Sequence, residues 1–297
     1  MASGRIVAVG GALIDVKGTT RARWAPDRSL PGTARVNAGG AARNVAVNLA
    51  RLGYQVTLLT AVGDDPFGDW VLRRTGDAGV DVSHAVRRPE QTGFYVTVGS
   101  EGGEAWHVAD AGPLEALTPA DLGAWDQVIR TAAVVIGDAN LLEPAQSALS
   151  AHANGRPRVL LAASPDKAVR LRSVLAGAAV LVCNRAEALS LTGLPGTLGW
   201  QALGTALLVE GVERVVLTHA EGGVAVLTAD AAEIAPAAPV SIVDATGAGD
   251  AVAAIAVHAY LAGLDAAQTA ALAVAAAAIV VQSPEVTPSE LARALQT

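Results

Sequence analysis

The chain has 297 residues, of which 52% are hydrophobic and 16% charged, enough for one large α/β domain or two small ones. Its formal net charge of -7 argues against a nucleic-acid surface that is held by phosphate contacts. The single cysteine, Cys183, excludes an intrachain disulfide framework and fits a reducing compartment.

Short apolar strands and helices alternate along most of the chain. The run Arg5–Gly10 predicts a strand, and Gly40–Leu52 predicts a helix after a gap. Further strands are predicted at Gln55–Ala61, Ala132–Gly137, Arg158–Ala162, Ala178–Cys183 and Arg214–Thr218, and further helices at Gly68–Gly79, Leu142–Ala153, Asp166–Leu175 and Arg185–Leu191. This alternation indicates βαβ units, and therefore an α/β fold with a doubly wound, mostly parallel sheet flanked by helices.

Two pairs of strand-like segments do not fit this alternation. Leu13–Gly18 and Thr33–Ala38 flank a polar stretch, while Gly93–Gly99 and Glu104–Ala109 flank a glycine-rich loop that is typical of a β-hairpin. We expect them to form a small separate β-sheet that covers one edge of the main sheet. The prediction is a single domain over residues 1–297, with a β lid formed by about residues 13–38 and 91–111.

The tract Ala251–Val281 is apolar, but polar residues interrupt it and alanine dominates its composition. It lacks the roughly 20 strongly apolar residues that a membrane span needs. We interpret it as two packed core helices, in a soluble, cytoplasmic protein without membrane or nucleic-acid partners. Cys183 lies in an apolar run, where a small buried core residue is favoured over a reactive thiol.

The strongest chemical signal is Val243–Asp250, whose letters are VDATGAGD, directly before that apolar tract. Closely spaced glycines let successive backbone N–H groups turn toward one point, and the following helix start adds partial positive charge. These features predict a nest for a phosphate group. Asp250 would lie beside it and accept a hydroxyl proton as a phosphoryl group moves. The alternative is a glycine turn in which Asp250 caps the helix.

A second signal is the pair Gly39 and Gly40 before the predicted helix Gly40–Leu52. Paired glycines allow close approach of a ligand to the backbone, and Asn44 lies in the next helical turn, so we expect Asn44 to contact a ligand. Asn48 and Arg51 continue the same helix face, and for them an ordinary solvated surface is favoured.

Two further segments have a structural and a functional interpretation. Asn184 and Glu187 are spaced as a helix capping box, but the pair would equally organise magnesium and its water ligands. The segment Thr218–Gly223 joins two strands, and a plain hairpin turn explains it fully.

Missing motifs narrow the functional class. No Gly-x-x-x-x-Gly-Lys-[Ser/Thr] occurs, which excludes a P-loop kinase, and no Gly-x-Gly-x-x-Gly follows the first strand, which weakens a dinucleotide-binding interpretation. The five histidines have no metal-ligand spacing.

Taken together, Gly39-Gly40-x-x-x-Asn44 and, about two hundred residues later, the segment from Asp244 to Asp250 resemble the ribokinase family, also called the PfkB carbohydrate kinases. The resemblance covers essentially the whole chain. It implies an α/β core with a β-sheet lid, ATP and Mg²⁺ as cofactors, a small sugar or nucleoside as substrate, and a homodimer formed through the lid.

The resemblance also implies roles for individual residues. Asp250 is similar to the catalytic base of the family, and the backbone of Gly247, Ala248 and Gly249 to its anion hole. The residues similar to those that hold substrate hydroxyls are Asp15, Gly39, Gly40 and Asn44. Asn184 and Glu187 match an element near nucleotide phosphate, with Glu187 reaching Mg²⁺ through water.

Two further sites follow from the same resemblance. Thr218 and Gly223 resemble the ends of the nucleotide loop, although Ala220 stands where the family usually has glycine, which puts the detail of the phosphate contacts in doubt. Asp244 and Thr246 lie where many members bind a monovalent cation such as K⁺.

Within the family, the segments around Asp15, Asn44 and Gly137–Asn140 look most like pseudouridine kinases. Asn140 and Arg43 would then meet a polar base edge. Ribokinase-like, fructokinase-like and other sugar kinases remain alternatives. More distant rivals are an NAD-dependent oxidoreductase, which would require the missing fingerprint, and a non-catalytic sugar-binding regulator, which would not need Asp250.

Overall fold

A computed structural model describes residues 4–23, 27–100 and 105–296. Its strands are β1 Ile6–Val9, β2 Leu13–Thr20, β3 Gly32–Gly39, β4 Val56–Leu59, β5 Ala61–Gly63, β6 Val86–Arg88, β7 Phe94–Ser100, β8 Ala105–Asp110, β9 Val134–Asp138, β10 Arg158–Leu161, β11 Val180–Asn184, β12 Val215–Thr218, β13 Val224–Leu227 and β14 Ala232–Ala235. Its α-helices are α1 Ala41–Arg51, α2 Pro66–Asp77, α3 Pro119–Ala124, α4 Asp126–Arg130, α5 Glu143–His152, α6 Pro165–Ala168, α7 Arg185–Thr192, α8 Trp200–Val209, α9 Ala248–Ala262 and α10 Ala266–Val281.

The main sheet has eight strands in the order β14-β13-β12-β11-β10-β9-β1-β4. It is parallel from β12 to β4, and the pairs β12–β13 and β13–β14 are antiparallel. Alternate residues of one strand face opposite sides, so Ile6 and Ala8 join one apolar core while Val7 and Val9 join another. Burial on both faces confirms the predicted doubly wound α/β architecture.

The segments that broke the alternation form a separate four-stranded sheet, in the order β3-β2-β7-β8. Its strands begin and end within two residues of the predicted ones, except that Glu104 and the hairpin turn lie outside the described residues. The register places a row of four valines side by side, one on each strand: Val36, Val16, Val96 and Val108.

Two predicted elements differ from the structure, and others were not predicted. The strand expected over Gln55–Ala61 ends at Leu59, because the chain turns at Thr60, whose hydroxyl donates to the Gly10 carbonyl, and continues as β5 against β6. The helix expected over Asp166–Leu175 is the short α6 followed by a 3-10 segment, Val169–Val174. Helix α8 and strand β14 were missed.

The tract Ala251–Val281 forms two helices, as predicted, although α9 begins at Ala248. Gly263 ends α9 in the left-handed conformation, and the side chain of Asp265 caps α10. In the part of the chain that the structure describes, we find no helix whose length and hydropathy would suffice to span a membrane.

The expectation of a solvated face for Asn48 is wrong. Helix α1 packs between β1, α9 and the last 3-10 segment, which leaves Asn48 0% exposed and Arg51 partly buried. Neither side-chain polar atom of Asn48 has a hydrogen-bond partner among the described residues. Cys183 is buried, as predicted, and burial raises the pKa of its thiol.

Candidate active site

The residues singled out from the sequence converge where several parallel strands end. Gly10 and Gly11 follow β1, Asp138 ends β9 and Asn184 ends β11, and the helices α1 and α9 begin beside them. In an open α/β sheet, ligands bind in the crevice outside the carboxyl ends of the strands. The fold therefore places the two glycine motifs, far apart in sequence, at one cleft.

The start of α9 depends on Gly247. This residue has φ 85°, and a Cβ there would lie 2.4 Å from the Val286 carbonyl oxygen, so only glycine fits. Gly249 differs, because its φ is not left-handed and no atom lies within 4 Å of a Cβ built on it. The first turn of a helix leaves N–H groups without intrahelical partners, and here Gly247 supplies no side-chain cap. The Ala248 N–H donates to the Ala245 carbonyl at 3.3 Å, whereas the N–H groups of Gly249 and Asp250 have no hydrogen-bond partner among the described residues and remain available to an anion.

Asp250 is in the first turn of α9 and does not cap it, so the alternative interpretation of Asp250 as an N-cap is wrong. Its Oδ2 accepts a hydrogen bond of 2.8 Å from Nδ2 of Asn44, across 206 residues of sequence. Burial raises the pKa of Asp250 to about 7, and the nearby carboxylates of Asp138 and Glu187 act in the same direction. The Asn44 hydrogen bond and the charge of Arg43 oppose that rise. A carboxyl group with this pKa takes up and releases a proton near neutral pH.

Arg43 forms a hydrogen bond with Asn44 and is only 6% exposed. Its guanidinium donates to the Thr75 hydroxyl, the Ala38 carbonyl and Oδ1 of Asn44. Burial, followed by the charges of Arg51 and Arg74, lowers its pKa to about 10. Because three protein acceptors engage its buried guanidinium, the geometry favours a positioning role over the predicted contact with a base edge. The bond to Oδ1 turns Nδ2 of Asn44 toward Asp250.

Asp138 holds the loops around the site together and was not singled out from the sequence. Its Oδ2 accepts from the backbone N–H groups of Gly11 and Ala42, and its Oδ1 accepts from that of Asn140. A Cβ on Gly40 would lie 2.2 Å from the Gly11 carbonyl oxygen, which explains the glycine there.

Gly39 is buried beside Asp15. Burial raises the pKa of Asp15; the charge of Lys17 opposes this rise, and the charge of Asp244 adds to it.

Asn140 is 7% exposed, and its Oδ1 accepts a hydrogen bond of 2.6 Å from Nζ of Lys167. Burial lowers the pKa of Lys167, while the charge of Asp138 opposes this. Sequence reasoning missed Lys167, although a signal was present: the chain has only two lysines, Lys17 and Lys167. Both contact residues of this cleft.

A cleft of about 940 Å³ extends from the start of α9 toward β12 and β13. Its lining residues include Asn184, Thr218, Gly223, Ile242, Gly249 and Ala277. The turn at Thr218–Gly223 is the predicted hairpin, and Gly223 is required because a Cβ would lie 2.0 Å from the Ala235 carbonyl oxygen. Ala220, where a glycine was expected from the resemblance, has φ 38°, which strains a residue with a Cβ.

Asn184 and Glu187 form the reciprocal capping box of α7, as one interpretation predicted. One oxygen of Glu187 accepts from the Asn184 N–H, and burial raises the pKa of Glu187. No cation pairs with this buried carboxylate among the described residues. An uncompensated carboxylate beside the cleft suits the water shell of a magnesium ion.

Asp244 and Thr246, the expected monovalent-cation ligands, are engaged by Lys17. The Lys17 ammonium lies 2.6 Å from Asp244 Oδ1 and 3.5 Å from the Thr246 hydroxyl. Burial by itself would raise the pKa of Asp244. The hydrogen bonds from Lys17 and Thr246 outweigh this effect and hold the pKa below its usual value. These residues do not fit a second cation, since it would compete with the ammonium for the same carboxylate.

Comparison with known proteins finds a family whose model covers nearly the whole chain. The model of the family described as "pfkB family carbohydrate kinase" matches residues 3–293. The pseudouridine kinase of Escherichia coli is 32% identical over 223 residues, which cover 74% of this chain and 71% of that protein.

The uncharacterised sugar kinase YeiI of the same organism is 36% identical over 172 residues. That match covers 57% of this chain but only 48% of the relative, so the aligned region spans about half of the relative's length. Among solved structures, a carbohydrate kinase from Agrobacterium tumefaciens is 30% identical, with a TM-score of 0.82 over 98% of this chain and 96% of the other.

Proposed function

Because the chain belongs to the pfkB family of carbohydrate kinases, we propose that it transfers the γ-phosphoryl group of ATP to a hydroxymethyl oxygen of a nucleoside or sugar. The observation that carries this proposal is the Asn44–Asp250 hydrogen bond at the start of α9. It joins the two sequence motifs and leaves Oδ1 of Asp250 for the substrate.

Asp250 acts as the general base. It accepts the proton of the attacking hydroxyl group while that oxygen forms its bond to the γ-phosphorus of ATP and the bond from this phosphorus to the β–γ bridging oxygen breaks, which releases ADP. A general base works best when its pKa is near the operating pH, and the pKa of Asp250 is raised to about 7. Asn44 fixes one carboxylate oxygen, and Arg43 fixes Asn44.

The backbone of Gly247, Ala248 and Gly249 forms the anion hole. Free N–H groups and the helix dipole stabilise the negative charge that spreads over the transferred group. Gly249 leaves open space in which the phosphoryl group reaches that backbone.

ATP occupies the cleft, with its phosphates between Asn184, Thr218, Gly223 and the start of α9. Bound Mg²⁺ would neutralise charge on the phosphates. Glu187 would hold the water shell of that ion, since its buried charge lacks another partner among the described residues.

For the acceptor we propose pseudouridine, phosphorylated at its 5′-hydroxyl group. Asp15, Gly39, Gly40 and Asn44 hold the ribose. Asn140 and Lys167 meet the base, because a pyrimidine edge that carries both N–H and C=O groups matches an amide beside an ammonium group. The support is this polar pair together with the 32% identity to a pseudouridine kinase. The alternative acceptor is a plain sugar such as ribose or fructose.

The test measures ADP release from ATP and Mg²⁺ in the presence of each acceptor of a panel. Phosphorus NMR then assigns the position of the phosphate on the product. We expect the highest kcat/KM for pseudouridine. Asn140→Ala should lower that value about tenfold or more, because a buried polar partner is lost, but should change ribose turnover little. Asn154→Ala is the matched control, since Asn154 is exposed beyond the far end of α5.

Two results would contradict the proposal at different levels. A tenfold preference for ribose or fructose would replace the nucleoside with a plain sugar. Absence of acceptor-dependent ADP release across the whole panel would overturn the kinase assignment.

We also propose that two copies pair through the outer face of the four-stranded sheet, which we call the lid face. It carries Val36, Trp106 and Val108, which are 53%, 59% and 64% exposed. Val16, the member of the valine row on β2, is partly buried against the main core. Exposed apolar side chains on one face of a sheet mark an interaction site. Light scattering after gel filtration should give the mass of a dimer, and Val108→Glu should give a monomer. A monomeric wild-type protein would refute this pairing.

A further inference from the structure

A lysine from the lid reaches into the loop that leads to α9. Lys17 belongs to β2, while its two partners, Asp244 and Thr246, immediately precede the anion-hole segment. The contact between Lys17 and Asp244 bridges 227 residues of sequence. The side chain of Asp244 is 19% exposed and that of Lys17 38% exposed, so water screens this ion pair only partly.

The loop around Asp244 is organised about a positive charge. Oδ1 of Asp244 accepts both the Lys17 ammonium and the backbone N–H of Thr246. The backbone N–H groups of Val243 and Asp244 both donate to the Val281 carbonyl at the end of α10. Asp15, on the same strand as Lys17, adds a second carboxylate that interacts with this lysine.

An ammonium group and a potassium ion carry the same charge, and both are satisfied by oxygen ligands. A free cation at Asp244 would have to displace Lys17 or lie beside it against charge repulsion. Because the lysine is tethered, its effective concentration at the carboxylate is high and no ion has to be recruited from solution.

We propose that the Lys17 ammonium takes the place of a monovalent cation at Asp244 and Thr246, so that the anion-hole loop is held without K⁺. This inference rests on the proposed kinase function for its catalytic consequence, although the cation site itself is testable without turnover. The order of the anion-hole loop would then depend on the position of the lid, because the Lys17 ammonium that holds the loop belongs to β2.

The experiment compares the wild type, Lys17→Met and Arg35→Met in choline, sodium and potassium chloride at equal ionic strength. Methionine keeps the apolar stem and removes the charge. Arg35 is the matched control, since it pairs with Lys17 in the β2–β3 register and is exposed. Two quantities are measured: kcat/KM on the best acceptor, and the Tm without any substrate.

For the wild type and Arg35→Met, we expect the same turnover and the same Tm in all three salts. Lys17→Met should lose about tenfold in kcat/KM in choline chloride and regain most of it in potassium chloride. Its Tm should rise by about 2–4 °C in potassium chloride relative to choline chloride, because an ion that binds only the native state stabilises it.

Three outcomes would overturn the inference. The first is a wild type that K⁺ activates severalfold, and the second is a Lys17→Met protein that equals the wild type in every salt. The third is a Lys17→Met protein whose kcat/KM is lower than that of the wild type and whose kcat/KM and Tm do not rise in potassium chloride. Lys17 would then only connect the lid to the loop, without replacing a cation. If Lys17→Met does not fold, Asp244→Asn provides the second variant, and K⁺ should leave its Tm unchanged. If no acceptor reacts at all, the proposed function fails, while the Tm comparison still decides the cation site.

Discussion

Replacing Asp250 with asparagine should destroy turnover and at the same time stabilise the folded protein. The amide still accepts from Asn44 Nδ2 through its oxygen, so the 2.8 Å contact can persist. An amide cannot take the proton of the substrate, and loss of a general base costs about 10²–10⁴ in kcat.

The gain in stability follows from the raised pKa. The pKa of an aspartate in the unfolded chain is about 3.8, whereas burial in the fold raises the pKa of Asp250 to about 7. Between these values the unfolded chain releases the proton and the native state retains it. The free energy of unfolding therefore falls as pH rises through this window. Above pH 7 the accumulated cost is about 4 kcal/mol, at about 1.4 kcal/mol for each pH unit.

Asp250→Asn removes this cost, so its advantage in stability should be greatest at pH 8 and roughly halved at pH 5.5. Urea unfolding of both proteins at the two pH values measures it, and a gain of about 2–4 kcal/mol is expected at pH 8. In the wild type, kcat/KM should fall as pH decreases below about 7, because Asp250 becomes protonated. Wild-type turnover in the variant, or a variant less stable at pH 8 than at pH 5.5 relative to the wild type, would refute this account.

Four further substitutions separate structural from catalytic roles. Gly247→Ala should cost at least about 2 kcal/mol of folding stability, because the φ of Gly247 is left-handed. Gly249→Ala should keep the Tm and lower kcat. A parallel loss of Tm and kcat in Gly249→Ala would contradict an open anion hole. Ala220→Gly should relieve the strain at φ 38° and lower the KM for ATP severalfold, and an unchanged KM would show that this turn does not contact phosphate. Asn48→Leu should be neutral or stabilising by about 1–2 kcal/mol in urea unfolding, since it removes a buried unpaired amide; a comparable loss would point to a polar partner for Asn48.

The sequence predicted those features that depend on local chemistry. Closely spaced glycines next to a helix start, and strands that alternate with helices, predict that Asp250 and Asn44 lie at helix N-termini. Their direct contact agrees with the resemblance, since it joins two motifs two hundred residues apart. The lid strands were found because they broke the helix–strand alternation.

Features that depend on packing between distant segments were not predictable in this way. The pattern of α1 by itself predicts that Asn48 lies on the surface. Packing of α1 against β1, α9 and the last 3-10 segment buries it. The direction of Arg43 depends on Thr75 and Ala38, which no local pattern connects to it. Lys167 lies outside the motifs, and Lys17 lies beside Asp15 at a position to which the resemblance assigns no role. The partners of both lysines come from distant segments of the chain.

The scarcity of lysine gives this protein a built-in pair of spectroscopic reporters. Reductive methylation with ¹³C-formaldehyde preserves the charge of an amine, and the only lysine side chains available to it are Lys17 and Lys167. One resonance would report on the contact between the lid and the loop before α9, and the other on the pocket around Asn140. Opening of the lid and occupancy of the acceptor pocket could thus be followed separately in one spectrum, without introducing a single foreign residue.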